Sequence, residues 1–149
     1  MHDAAPSERK PRVLIVDDDY PNLILMIRIL SVEGFETDMA SYGPTALVKL
    51  RENPYDILIT DMQMPEMHGD ELVRAIRKQG MTLPIIVCAG GSMKISGEMA
   101  VFETDFHTTL ERTLFDGYIS KPISVERFAE QVRSVLNRPN SHPAQSPAS

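Results

Sequence analysis

Tryptophan is absent from this 149-residue chain, and cysteine occurs once, as Cys88. One cysteine excludes an internal disulfide and suits a reducing compartment. Positive charge is also short: 15 Lys and Arg stand against 21 Asp and Glu, a net charge of −6. That balance disfavours a nucleic-acid-binding surface. No apolar run approaches the roughly 20 residues needed to span a bilayer. The opening "MHDAAPSERKPR" has no apolar core of a secretory signal. These absences read as a cytoplasmic protein with neither a membrane nor a nucleic-acid partner. Hydrophobic content of 42% is enough for a globular core, and the length fits one domain.

The ends differ from the middle. Residues 1–11 are polar and carry Pro6 and Pro11, and 138–149, "RPNSHPAQSPAS", hold no large apolar residue. Such stretches bury too little to offset their ordering entropy, so both are expected to be disordered tails, the second a possible linker. Between them, over 12–137, apolar runs alternate with amphipathic segments. "RVLIV" (12–16), "DILIT" (56–60) and "LPIIVCA" (83–89) read as buried strands, "FETDMA" (35–40) as an edge strand, and "GYIS" (117–120) as a short one. Helices are expected at 22–34, stopped by Gly34; at 43–53, opened by Pro44; and at 68–80, with Leu72, Val73 and Ile76 inward. A last helix is expected at 124–136, with Ser124 as N-cap and Val125, Phe128, Val132 and Val135 inward. Five strands alternating with helices predict a doubly wound α/β fold with a parallel sheet covered on both faces.

Ligands of such sheets bind beyond the carboxyl ends of the strands. There the sequence places Asp17, Asp18 and Asp19, then Asp61, then Ala89, Gly90 and Gly91, then Lys121 before Pro122. Carboxylates crowded together repel. Alone, Asp17–Asp19 fit a solvated turn or a helix cap as well as a ligand site. With Asp61 and Lys121 at the same edge, the favoured reading is a site for a hard divalent cation, Mg²⁺ first. His68, His107 and His142 lack metal-ligand spacing. Cys88 reads as a small buried hydrophobe, and Met64, Pro65 and Gly69 as loop-shaping residues.

The motifs "VDDD" (16–19), "DILITDMQMPEMHGDEL" (56–72) and "YISKPI" (118–123), in this order, resemble the receiver domain of two-component response regulators. The resemblance covers about residues 12–136 and implies a flavodoxin-like five-stranded sheet of order 2-1-3-4-5. It implies Asp61 as phosphoacceptor. Mg²⁺ would be held by Asp18, Asp61 and the Gln63 backbone carbonyl, with Asp17 reaching it directly or through water. Lys121 would pair with Asp61 and then with the phosphoryl group, and a cis bond is expected before Pro122. The implied partners are a histidine kinase or histidine phosphotransfer protein and a downstream protein meeting the 90–120 region; the chain would be a monomer or weak dimer. A signalling domain is implied, not a turnover enzyme. An aspartate-nucleophile phosphatase typically has a second aspartate where this chain has Gln63.

Two departures stand out. The family's hydroxyl at the end of the fourth strand is replaced by Ala89, which costs the switch a hydrogen bond to phosphate worth about 1.5–3 kcal/mol. A binding module with weakened phosphate switching is therefore the alternative reading. Ser92 is a candidate substitute for the hydroxyl, and Tyr118 matches the family's mobile aromatic or is a half-buried core tyrosine. The second departure is a lengthened segment from Gly90 to Phe115. Its "GGSMKISG" reads as loose, and 98–115 as a helix with Met99, Phe102, Phe106, Leu110 and Leu114 on one stripe.

Overall fold

The structure is a computed structural model that describes residues 9–103, 107–139 and 142. The apolar runs become strands β1 (Arg12–Val16), β2 (Glu36–Ala40), β3 (Ile57–Asp61), β4 (Ile85–Ala89) and β8 (Gly117–Ser120). They form one parallel sheet in the order β2-β1-β3-β4-β8, the arrangement expected. Central strands β3 and β4 are buried along their whole length, whereas β2, at the edge, is buried only at Ala40.

Helices α1 (Tyr20–Val32), α2 (Gly43–Glu52), α3 (Gly69–Lys78) and α4 (Phe128–Leu136) cover the two faces. On one face Leu23, Met26 and Leu30 of α1 meet Phe128 and Val132 of α4 over Val13, Ile15, Ile57 and Ile59. On the other, Leu47 and Leu50 of α2 and Leu72, Val73 and Ile76 of α3 lie over Leu14, Leu58, Ile85 and Val87. Each of these larger aliphatic side chains contributes about 1.5–3 kcal/mol by leaving water. At the end of α1, Gly34 takes a φ of 95°, and Phe35 N–H returns to Leu30 O at 3.0 Å, closing the helix.

Two expectations are corrected. The last helix begins at Phe128, not at residue 124, because residues 125–127 form a turn in which Phe128 N–H donates to Ser124 O. Val125 is therefore 59% exposed instead of inward. The larger correction concerns 90–115. Its helix is replaced by an antiparallel sheet, β5 (Ser92–Ser96), β6 (Met99–Glu103) and β7 (His107–Glu111), followed by a 3-10 turn at Arg112–Leu114. Phe106 lies outside the described residues.

The physical reason is period two. Register pairs Met93 with Phe102 and Ile95 with Ala100 on one side of β6, and Ala100 with Leu110 on the other. Ala100, Phe102 and Leu110 turn inward and join the core beside α3. Gly97, at φ 62°, opens the two-residue connection between Ser96 and Met99. The supposedly loose glycine-rich run is thus an edge strand. Arginines of α3 tie the added sheet down: Arg74 Nη2 donates to Thr109 O at 2.9 Å and Nε meets Glu111 Oε1 at 3.0 Å. Arg77 Nε donates to Leu114 O at 2.9 Å.

Two residues from the compositional tails make tertiary contacts. Arg9 pairs with Asp56 at 3.0 Å, and His142 Nε2 lies 2.8 Å from Asp116 Oδ1. Among the described residues, no helix is long and apolar enough to cross a membrane.

Candidate functional site

Parallel strands with helical crossovers bring the ends of β1, β3, β4 and β8 to one edge. Asp17 and Asp18 follow β1, Asp61 ends β3, Ala89 ends β4, and Lys121 follows β8. Carboxylate oxygens of Asp17, Asp18 and Asp61 all lie within 4.8 Å of one another. Lys121 Nζ sits 3.0 Å from Asp61 Oδ1 and 3.3 Å from Asp17 Oδ2. The Lys121–Pro122 bond is cis. Asp17 is fully buried and Asp61 nearly so, while Asp18 faces water.

Three carboxylates against one ammonium leave an excess of negative charge. Burial, then the Asp17 charge, push the Asp61 pKa up to about 6, against the pull of Lys121. Burial works against the Lys121 ammonium, but Asp61 and Asp17 outweigh it and raise its pKa above the usual value. An all-oxygen donor set with surplus negative charge, open to water through Asp18, fits a hard divalent cation.

The raised Asp61 pKa has a measurable consequence in metal-free protein. Between pH 3.8 and about 6 the folded state holds a proton on Asp61 that the unfolded chain has lost. Stability from this group therefore falls as pH rises through that window. At about 1.4 kcal/mol per pKa unit, and allowing for screening by water at the rim, Asp61→Asn should be more stable than wild type by roughly 1–2 kcal/mol at pH 7. Denaturant unfolding in chelator checks this. The advantage should vanish near pH 4 and shrink when Mg²⁺ is added.

The loop after Asp61 is tightly constrained. A Cβ on Gly69 would lie 2.3 Å from the Asp61 carbonyl oxygen and 2.8 Å from Met62 Cα, so only glycine lets α3 start this close to the site. His68, next to it, donates its N–H to Glu71 Oε1 at 2.9 Å. Met64 is buried, as a loop-shaping residue should be. Gln63 stands two residues past Asp61 in the same loop. Cys88 is buried in β4, its thiol pKa pushed up to about 12 by burial, which leaves it inert at neutral pH.

At the Ala89 end, Tyr118 OH donates to Gly91 O at 3.1 Å, and its ring lies 5.7 Å from that of Phe102. Tyr118 thus joins the β4–β5 link to the added sheet. Ser92 opens β5 as an exposed residue opposite Glu103. One residue escaped the sequence reading. Asn22 Nδ2 donates to Asp17 Oδ2 at 2.6 Å. Its signal was its place in the first turn of α1, just after the acidic run.

The fold and this acidic edge define a signalling-receiver architecture. Residues 13–133 match the family model for the response regulator receiver domain, so the chain belongs to that family. It is 31% identical over 147 residues to the alkaline phosphatase synthesis transcriptional regulatory protein SphR of Synechococcus elongatus, covering 92% of this chain and 53% of that protein. It is 32% identical over 131 residues to the sensor histidine kinase GacS of Pseudomonas protegens, covering 85% of this chain and 13% of the kinase. The chain thus spans about half or less of the curated relatives it matches. Among solved structures, the chemotaxis response regulator CheY4 of Vibrio cholerae aligns with a TM-score of 0.67 at 25% identity, covering 85% of this chain and 99% of that one. A CheY-like receiver from Methanospirillum hungatei aligns at 0.68 and 25%, covering 87% and 95%. Receiver domains are signalling domains of two-component systems, in general not turnover enzymes.

Proposed function

We propose that the chain accepts a phosphoryl group on Asp61 from a phosphohistidine of a histidine kinase or phosphotransfer protein. The observation that carries this is the Asp61 carboxylate, grouped with Asp17 and Asp18 and held 3.0 Å from the Lys121 ammonium. An Asp61 oxygen attacks phosphorus; the O–P bond forms, the N–P bond breaks, and the histidine nitrogen leaves with the electron pair. Lys121 balances charge on the phosphoryl oxygens as a single point contact. Asp17, Asp18, Asp61 and the Gln63 carbonyl would hold Mg²⁺. When bound, that ion supplies charge neutralisation and alignment for in-line transfer. Residues 12–137 form the receiver unit in this reading. The kinase relatives favour a two-component partner, and the reducing-compartment composition favours the cytoplasm.

Intact mass measured after incubation with Mg²⁺ and acetyl phosphate tests the proposal. Wild type should gain one phosphoryl group, and Asp61→Asn or chelated wild type none. Turnover of many equivalents of a phosphoester would favour an enzyme instead.

A second reading rests on Ala89, buried at the end of β4 with no hydroxyl to offer. Here phosphate is accepted but pulls weakly on the β4–β5 link. In amide NMR spectra of the same sample, phosphorylated protein whose signals over 90–103 stay put would favour this module with weakened switching.

A further inference from the structure

Asp17 is fully buried, and protein donors occupy most of its carboxylate. Oδ1 accepts the Asp19 N–H at 2.9 Å, and Oδ2 accepts Asn22 Nδ2 at 2.6 Å and Lys121 Nζ at 3.3 Å. An ionised carboxylate has about four acceptor positions. Three are taken, and the one left lies on Oδ1.

The start of α1 explains how Asn22 comes to be there. Asp19 is the N-cap and Pro21 occupies the first turn, so Asn22 is the third helical residue. A Glu or Gln at that position can reach back to the N-cap N–H. Here Asp17 already accepts the Asp19 N–H, and Asn22 reaches past it to Asp17 itself. Without Asn22, Lys121 would be the only side-chain donor to Asp17 among the described residues, and the carboxylate would be free to turn towards it.

We propose that Asn22 is a positioning residue for divalent-cation binding: it clamps Asp17 Oδ2 so that Oδ1 stays available to the ion beside Asp18 and Asp61. The inference rests on the phosphoacceptor reading above. Groups that orient metal ligands from behind change metal affinity by about 10–100-fold when removed.

The test is a Mg²⁺ titration by calorimetry on four proteins: wild type, Asn22→Ala, Asp17→Asn, and the double variant. Asn22→Ala should bind Mg²⁺ about tenfold more weakly than wild type. In the Asp17→Asn background the same change should alter affinity by less than about twofold, because the group it positions is gone. Asn22→Leu, similar in shape but without a donor, repeats the measurement should alanine unfold the chain. Equal loss in both backgrounds, or less than about a twofold loss in the single variant, overturns the proposal. Wild type that binds Mg²⁺ and accepts phosphate while Asn22→Ala matches its Mg²⁺ affinity sinks this inference alone; wild type that does neither sinks the phosphoacceptor reading with it.

Discussion

Truncating Phe102 to alanine should cost about 3–5 kcal/mol of folding stability, the usual range for emptying a buried phenylalanine site. Phe102 is fully buried on the middle strand of the added sheet. Its ring lies 6.0 Å from Phe115 and 5.7 Å from Tyr118, both tilted, so the cavity would open where the added sheet meets the main one. Phe102→Leu should recover most of the loss. Denaturant unfolding followed by circular dichroism checks the magnitude, and hydrogen exchange checks the place. Amides of β5 and β6 should lose protection first, because β5 is an exposed edge held chiefly through β6. A loss below about 1 kcal/mol would mean that this sheet is not packed into the core as described.

That sheet also marks where the sequence was hardest to read. Met99, Phe102, Phe106, Leu110 and Leu114 recur at three- and four-residue intervals, which matches a helix stripe. The competing period-two signal was present in Ala100 and Phe102, and in Met93 and Ile95, flanking the Ser-Gly-Glu turn at Gly97. Short strands give too few repeats to settle the period locally. Tertiary packing decided it, with Arg74 and Arg77 of α3 supplying partners for the carbonyls of Thr109 and Leu114. By contrast, β1, β3 and β4 were plain from their continuous apolar runs, because both faces of a parallel sheet are covered. The acidic edge was legible for a related reason. Asp17, Asp18, Asp61 and Lys121 each follow or end a strand, and parallel topology alone brings strand ends together. Asn22 was not legible, since only the actual first turn of α1 shows that its amide reaches Asp17.

Removing the Lys121 ammonium should separate two properties that most changes at this edge would damage together. Nζ contacts Asp61 Oδ1 at 3.0 Å and Asp17 Oδ2 at 3.3 Å, and the lysine side chain is only 24% exposed. In Lys121→Ala the phosphoryl oxygens of the proposed aspartyl phosphate would lose the cation that stands beside Asp61. Losing a single preorganised contact to charge that develops during transfer costs about 10²–10³ in rate. Uptake from acetyl phosphate at saturating Mg²⁺, followed by intact mass against time, should slow by about that factor. Mg²⁺ affinity should move the other way. Lysine cannot ligate the cation, and its ammonium repels a divalent ion bound among Asp17, Asp18 and Asp61, so Lys121→Ala should bind Mg²⁺ at least as tightly as wild type. Lys121→Arg should not restore the rate, because a planar fork cannot take the place of a compact ammonium bridging two carboxylates. A variant that transfers phosphate within about threefold of wild type would remove Lys121 from the chemistry. One that loses Mg²⁺ binding along with rate would show that the lysine holds the acidic edge together and does not act on the phosphoryl group.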